Sequence, residues 1–294
     1  MAVVFDAHNK SEALIGRIKA SLGPLPGLCL ASVAIGIDTA RDYRVSQEKT
    51  AGELNIEYRS IDLKSGISFQ EFKSEIKKLN DDKSITGIIL NKPFPERWVE
   101  EEAFSLVDEG KDVEGLHPIN LGKLFRSNKN IFDELNLSPE TILLSPTVRS
   151  ILYILKLSNN VNLRGKRVTI VGFSSLIGKP LALLLANAFA TVSITHIGTY
   201  ESEDLEYYVR SADILVSAVG IPGLIKGDWV KDKAVIIDAG TRQKDGKLTG
   251  DIEFDKAKEK AAFITPVPGG VGKFTSLFLY YNLVVLQLRN DKSQ

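Results

Sequence analysis

Three places in the chain carry residue types whose spacing could do chemistry. The first is Val168 to Pro180, VTIVGFSSLIGKP. An apolar strand runs into Gly172, Gly178 allows close backbone approach, and Pro180 suits a first helical turn, where its missing N–H has no intrahelical partner. Amides exposed in such a turn, with the positive end of a helix dipole behind them, attract a diphosphate. The glycine spacing is not GxGxxG, so a tight strand-to-helix connection of any doubly wound sheet stands beside nucleotide binding as a reading. The second place is Tyr43 and Gln47, four residues apart and so on one face of a helix expected over Asp42 to Leu54. Taken alone, Tyr43 reads as a packed aromatic. The third is PVPGGVG (266–272), on composition an ordinary turn, although its glycine density would let a flat ligand approach the backbone. Asp112 and Glu114 read alone as solvated loop charges. His196, closing a strand, is either a structural histidine or an adenine or ribose contact.

Composition excludes several alternatives. The chain has 294 residues, 44% apolar and 25% charged, with 37 basic side chains balancing 37 acidic ones. A net charge of zero gives no electrostatic reason to expect nucleic acid or an anionic membrane as partner. Cys29 is the only cysteine, which excludes an intramolecular disulfide and a thiolate–zinc cluster, and His8, His117 and His196 have no metal-ligand spacing. Early charges argue against a signal peptide, and no uninterrupted apolar run is long enough to span a bilayer, so a soluble, cytoplasmic protein is expected.

The elements that must position these residues alternate along the chain. Leu28–Ile37, preceded by Pro24 and Pro26, reads as a buried strand, Ile56–Leu63 as a half-buried one and Ile85–Leu90 as another, stopped by NKPFP. Between them lie the helix over Asp42–Leu54 and an amphipathic helix over Ser68–Leu79 with Phe69, Phe72, Ile76 and Leu79 on one stripe. A long helix is expected over Thr141–Leu157. The rhythm then restarts with strands at Arg167–Val171, Thr191–His196, Ala212–Val219 and Ala234–Ala239 and a helix over Lys179–Phe189. This βαβ order implies an α/β protein with parallel sheets, and the length suggests two domains changing near residues 140–165. A last apolar helix, Thr275–Leu288, is expected to pack back on the first domain. Trp98 and Trp229 read as packing residues.

Five segments together resemble the methylenetetrahydrofolate dehydrogenase/cyclohydrolase (FolD-type) family. GFSSLIGKP is similar to its GRSxxVGxP signature. KDVEGLHPINLGKL (111–124) resembles KDVDGxxPxNxGxL, and TPVPGGVGKFT (265–275) resembles TPVPGGVGPMT. VIIDAGTRQKDGKLTGDIEF (235–254) resembles VIDVGIN…GKLVGDVDF, and DYRVSQEKTAGELNI (42–56) lies where the family has YxxxKxKAxxxxGI. The segments occur in family order over nearly the whole chain. The resemblance implies a folate-binding catalytic αβ domain over 1–140 plus the C-terminal helix (275–294), and a Rossmann-like NAD(P)-binding domain over 141–274. It implies hydride transfer from 5,10-methylenetetrahydrofolate to a nicotinamide in a cleft between the domains, and a homodimer. Tyr43, Gln47, Asn91 and Glu114 fall at catalytic positions. Tyr43, Leu90, Asn91, Lys92 and Pro268, Gly269, Gly270, Val271 and Gly272 fall at folate positions. Gly172, Phe173, Ser174, Gly178, His196, Ile197 and Thr241 fall at cofactor positions, and no metal is implied.

The departures from the family pattern are specific. The family lysine four residues after the tyrosine, which handles protons in methenyl hydrolysis, is Gln47; glutamine supplies no ionisable proton. Lys49 lies about 200° around the helix and is not placed to substitute. The family glutamine is Asn91, the serine three residues before the tyrosine is Ala40, and the second aspartate of KDVDG is Glu114. Lys92 could supply an ammonium from the neighbouring strand end. The expectation is a dehydrogenase with little or no cyclohydrolase activity; a bifunctional enzyme using Lys92 and a catalytically silent folate- or nucleotide-binding paralogue are the rivals. The GRS arginine is Phe173, and HSRT reads HIGT (His196 to Thr199), without arginine. A dianionic 2′-phosphate needs a paired cation, so the cofactor expectation leans to NAD, with NADP the family default. Lys273 and Arg242 add positive charge that could meet a polyglutamate tail or be surface charge.

Overall fold

The structure, a computed structural model, describes residues 2–292 other than 24, 26, 37–39, 129, 130, 159–161 and 245, with the side chains at 134 and 244 also left out. Pro24, Pro26 and Ile37, which bounded one expected strand, lie outside the described residues. In chain order the first elements are β1 (Val3–Val4), α1 (Ala7–Leu22), β2 (Cys29–Ile35), α2 (Arg41–Leu54), β3 (Glu57–Leu63), α3 (Phe69–Asp81) and β4 (Gly87–Leu90). Then come α4 (Glu100–Phe104), α5 (Pro118–Phe125) and α6 (Pro146–Leu157). The second half adds β5 (Arg167–Val171), α7 (Gly178–Asn187), β6 (Thr191–Thr195), α8 (Ile197–Glu201), α9 (Leu205–Ser211), β7 (Ile214–Ser217) and β8 (Val235–Asp238). It ends with β9 (Arg242–Lys244), β10 (Lys247–Thr249), α10 (Phe254–Lys260), β11 (Phe263–Ile264) and α11 (Val271–Lys292).

The chain divides into two compact units. Unit 1 holds Met1–Glu12, Asn128–Leu135 and Thr147–Thr275; unit 2 holds Ala13–Ser127, Asn136–Pro146 and Ser276–Gln294. Set against the expected 1–140 plus 275–294 and 141–274, the N-terminal twelve residues fall in the other unit because β1 pairs in parallel with β11 near the far end of the chain. Two residues of strand were too short a signal to register in the sequence.

Unit 2 is built on a parallel sheet in the order β3-β2-β4. Every residue of central β2 is buried, whereas edge strand β3 alternates half-buried and exposed side chains from Arg59 to Leu63, as one-faced burial requires. The α3 helix starts on a capping box: the Ser68 hydroxyl accepts from the Glu71 amide and Glu71 accepts from the Ser68 amide. Its C-terminal end is closed by the Lys111 ammonium, which donates to the carbonyls of Leu79, Asn80 and Asp82 at 3.1, 2.7 and 2.7 Å. Within this unit the last helix packs on β4 so closely that a Cβ at Gly87 would stand 2.6 Å from Leu283 Cδ1. Asn282, fully buried, donates to the carbonyls of Val113 and Leu144 at 2.6 and 2.8 Å. Although α11 is long and apolar enough to cross a membrane by length and composition, 72% of its most apolar window is buried inside the protein, as in a core helix. Trp98 is a packing residue in a cluster with Phe69, Phe72 and Phe94.

Unit 1 carries a six-stranded parallel sheet in the order β1-β11-β8-β7-β5-β6. The chain leaves β5 for β6 on one side and returns to β7 on the other, so the loops after β5 and β7 flank a topological switch point, where α/β sheets bind ligands. Val171, Leu215, Ile236 and Ile264 pack with Leu205 and Val209 of α9 into its core. The helix expected from Thr141 begins only at Pro146, because proline disfavours helical geometry at the residue before it and suits the first turn itself. The expected strands over Thr191–His196, Ala212–Val219 and Ala234–Ala239 are each shorter, ending where the loops that carry the site begin.

Candidate active site

In unit 2, α2 carries Tyr43 and Gln47 on one face as the four-residue spacing requires, and Lys49 is exposed elsewhere on the helix. Gln47 is fully buried. Its Nε2 donates to Asn91 Oδ1 at 2.9 Å, and its Oε1 accepts from the Ser32 hydroxyl at 2.7 Å and from the Tyr58 hydroxyl at 3.3 Å. Asn91 completes the ring, donating to Ser32 Oγ at 2.8 Å and to the Val33 carbonyl at 2.9 Å. Tyr280 of α11 donates to the Gln47 carbonyl at 2.8 Å. This network is neutral throughout, and its amide groups find partners inside the protein, which is what a buried polar cluster needs to avoid a desolvation penalty. The sequence reading missed Ser32, and the signal was present: a lone hydroxyl in the apolar run LCLASVAI.

Beside this network stand the ionisable groups of the site. Burial, with lesser contributions from the charges of Glu114 and Tyr58, pushes the half-buried Tyr43 hydroxyl above its ordinary pKa, while a hydrogen bond from Gln47 opposes the shift. Burial and the adjacent Asp112 carboxylate push Glu114 up to about 8, against the opposing pull of Lys92 and the Leu90 amide. Asp112 itself is not the solvated loop charge that its sequence position suggested. It is buried and accepts from the amides of Glu114 and His117 at 3.1 and 2.8 Å and from Asn120 Nδ2 at 2.9 Å, so it builds the turn that presents Glu114. Lys92 forms an ion pair with Glu100 at 2.7 Å, both side chains well exposed. The structure therefore gathers Tyr43, Gln47, Leu90, Asn91, Lys92 and Glu114 around the ends of β4 and α2.

In unit 1 a strand ends at Val171 and a glycine turn follows, as expected, with α7 starting at Gly178 rather than around Pro180. Gly172 has φ 128°, a conformation that favours glycine. A Cβ on Gly178 would lie 2.0 Å from the Gly172 carbonyl oxygen, so no other residue fits there. The Gly172 amide is spent on the Thr195 carbonyl at 3.0 Å, and the Ser174 hydroxyl accepts from Ile177 N at 3.1 Å, closing the turn into α7. The turn leads directly into the ten-residue α7, whose N-terminal end is the kind of place that could hold an anion. His196 caps α8, its Nδ1 accepting from the Gly198 amide at 3.1 Å. Its ring faces Phe173 at 5.9 Å between centroids, and Lys179 Nζ lies 4.8 Å from the Phe173 centroid. Phe173, Val219 and Ile221 on the loops after β5 and β7, and Ile197 at the start of α8, expose apolar side chains. Thr241, exposed, follows β8 beside the loop after β7, since a Cβ on Gly220 would come 3.6 Å from the Thr241 carbonyl oxygen. Pro268 to Gly272 also belong to unit 1: Gly269 has φ 98°, a Cβ on Gly270 would stand 2.4 Å from the Pro266 carbonyl oxygen, and α11 starts at Val271.

Two buried carboxylates under this edge were not anticipated. Asp251, fully buried, accepts from Ser217 Oγ at 2.7 Å and from the amides of Val219 and Ile221 at 2.8 and 2.7 Å. Asp238 accepts from the amides of Gly240 and Ile252 at 3.1 and 3.0 Å. Burial and the neighbouring Asp251 charge push Asp238 up to about 7, with the amides of Asp251, Ile252 and Gly240 opposing. No cluster of His, Cys, Asp or Glu among the described residues is arranged to hold a metal ion.

Comparison with known proteins agrees with both halves. The chain matches the tetrahydrofolate dehydrogenase/cyclohydrolase catalytic domain over residues 7–114 and the NAD(P)-binding domain of the same family over 145–291. It is 40% identical over 256 residues to the bifunctional protein FolD of Clostridium acetobutylicum, covering 87% of this chain and 86% of that one. Among solved structures, FolD methylenetetrahydrofolate dehydrogenase/cyclohydrolase from Campylobacter jejuni superposes with a TM-score of 0.88 at 31% identity, covering 99% of this chain and 100% of that one. The Trypanosoma brucei enzyme, complexed with NADP cofactor and inhibitor, gives 0.88 at 30% identity, with 99% of each chain covered. The two matched domains and the 40% identity over most of both chains show that this chain belongs to the tetrahydrofolate dehydrogenase/cyclohydrolase (FolD) family.

Proposed function

We propose that this protein is a 5,10-methylenetetrahydrofolate dehydrogenase that transfers hydride to NAD(P)+ and has little or no cyclohydrolase activity. The observation that carries the second half is the environment of Gln47. At the position where the resemblance implies a proton-handling lysine, a neutral amide is buried and committed to Ser32, Asn91 and Tyr58. Hydride transfer has no such requirement. It needs the pterin carbon and the nicotinamide ring held at reacting distance, and the protein contributes position more than proton chemistry. A bound nicotinamide would take up the hydride.

For the folate we assign Tyr43 as the ring-stacking residue, Leu90, Asn91 and Lys92 as the strand-end wall, and Glu114 as the carboxyl that accepts from the donor edge of the pterin. Pro268 to Gly272 are assigned to folate on the resemblance. For the dinucleotide we assign the Gly172–Ser174 turn and Gly178 to the diphosphate, and His196, Ile197 and Thr241 to the nucleoside parts. The Phe173–His196 pair presents an aromatic surface without a guanidinium at the position of the family arginine, which favours NAD over NADP; Lys179 is the cation that remains beside it. The rival bifunctional reading through Lys92 is weakened by its ion pair with Glu100. The silent-paralogue reading is opposed by the turn glycines, whose contacts only glycine tolerates.

The test is a spectrophotometric assay of purified protein with methylenetetrahydrofolate and each nicotinamide, alongside methenyl hydrolysis. Hydride transfer without hydrolysis is the expected result. Rapid hydrolysis abolished by Tyr43→Phe or Asn91→Ala overturns the hydrolase half, and wild-type hydrolysis in Lys92→Met removes the Lys92 alternative. Ligand binding without turnover establishes the silent paralogue instead.

A further inference from the structure

The loop after β7, residues 218–221, borders the switch point of the unit 1 sheet and is held from below by a residue far along the chain. A Cβ on Gly172 would come 2.9 Å from the Ala218 carbonyl oxygen, so the glycine turn and this loop touch. Val219 and Ile221 nonetheless turn their side chains outward, 40% and 43% exposed, while their amides point inward. What the amides meet is one carboxylate. Asp251 takes the Val219 amide and the Ser217 hydroxyl on Oδ2 and the Ile221 amide on Oδ1. The same carboxylate lies against Gly240, where a Cβ would fall 2.0 Å from Oδ2, one residue before Thr241. Asp238 holds the other side of this arrangement through Gly240 N and Ile252 N, and faces Gly250, where a Cβ would stand 2.2 Å from its Oδ2. A single buried carboxylate thus fixes the loop after β7 and seats the segment after β8.

We propose that Asp251 is a positioning residue for the dinucleotide: by binding Ser217, Val219 and Ile221 and packing on Gly240, it sets the cofactor-side loops against the glycine turn. It touches no ligand itself. The inference rests on the reading of unit 1 as the nicotinamide-binding unit. Charge is required because three donors converge on two oxygens, and carboxylate oxygens accept from several donors at once while an amide oxygen offers half that capacity and its NH2 repels the amides opposite.

The test uses the full-length protein and the variants Asp251→Asn and Ser217→Ala. It measures dinucleotide Kd by calorimetry with NAD+ and NADP+, the KM values for dinucleotide and folate, and amide hydrogen exchange. Asp251→Asn is expected to weaken dinucleotide binding about 10-fold or more and leave the folate KM within about 2-fold, with faster exchange at Val219 and Ile221. Ser217→Ala, which removes one donor and leaves the carboxylate in place, is expected to shift dinucleotide affinity in the same direction by about 2- to 3-fold. Unchanged dinucleotide affinity in folded Asp251→Asn, or equal losses for both substrates, overturns the proposal. Should Asp251→Asn fail to fold, unchanged affinity and exchange in Ser217→Ala overturn it. A wild-type protein that binds neither dinucleotide overturns the functional reading and this inference with it. One that binds without hydride transfer overturns only the enzymatic reading, and the variant affinities still decide Asp251.

Discussion

In unit 2, Gln47, Asn91 and Ser32 bond to one another and to the main chain with no formal charge among them; in unit 1, Asp251 and Asp238 bury two carboxylates and spend them on backbone amides. Both clusters lie beneath a proposed binding edge, and both leave few buried polar atoms unpaired. They differ in what they can do next. The neutral network holds side chains in place and offers no proton near neutral pH, and on the proposed reading Gln47 serves there as scaffold. The carboxylates cost more to bury, which appears as the upward shift of Asp238, but each carboxylate accepts two backbone amides, one on each oxygen, and so dictates loop conformation. The lesson is that a buried amide ring preserves a wall, whereas a buried carboxylate shapes a loop.

The largest expected effect breaks the neutrality of the first cluster. Gln47→Lys places an ammonium between Ser32 and Asn91, and methenyl hydrolysis should rise by about 100-fold, the lower end of what a positioned acid–base contributes. A rate that stays at the wild-type level would show that Asn91 and Ala40, rather than Gln47, limit hydrolysis. Next comes deletion in each cluster. Asp251→Leu leaves a hydroxyl and two amides without their acceptor and should cost about 3–5 kcal/mol in denaturant unfolding. Gln47→Leu strands Ser32 and one face of Asn91 and should cost about 2–3 kcal/mol. The reverse order of these two losses would contradict the contrast drawn between the clusters.

A sharper separation comes from pH. Folding raises the Glu114 pKa from 4.5 to about 8, so its contribution to stability is fully present below about 4.5 and is lost as pH rises through 8. Folate binding should run the other way, because the ionised carboxylate is the better acceptor for the pterin donor edge: the folate KM should fall as pH rises from 6.5 to 8.5. Glu114→Gln should flatten both profiles, and a wild-type slope in that variant would remove Glu114 from the site. Asp238 gives unit 1 a stability loss of the same sign, completed near pH 7 rather than 8. The smallest effect concerns the cofactor edge. Phe173→Arg should raise the NADP-to-NAD ratio of kcat/KM by about 10-fold, by pairing a guanidinium with the 2′-phosphate.

Much of this architecture was legible in the residues. The amphipathic stripe of α3, the alternation of β3 and the apolar run of β2 were all readable because one-faced and two-faced burial impose different periods. Gly172 and Gly178 were readable as a pair because the turn leaves no room for a Cβ at either. Other features left no local trace. The β1–β11 pairing joins the N-terminus to residues 263 and 264, and two-residue strands carry no period. The expected helix start at Thr141 followed apolar spacing and overlooked Pro146, whose ring sets the true beginning. Asp112 looked like a loop charge because its three donors come from the chain ahead of it, folded back on it by a turn that composition alone does not announce.

Sequence alone determined the residue types at the positions the family resemblance singles out: an amide at Gln47 where the resemblance implies a lysine, a phenyl ring at Phe173 where it implies an arginine, and glycines at Gly172 and Gly178. These follow from residue type, because an amide, a phenyl ring or a bare backbone carries no ionisable group whatever the fold around it. Tertiary structure alone decided where the charges came to rest, lifting Glu114 and Asp238 toward neutrality and turning Asp251 into the anchor of a loop thirty residues earlier in the chain. That outcome depends on burial and on the direction of distant amides, and both exist only once strands far apart in sequence lie side by side.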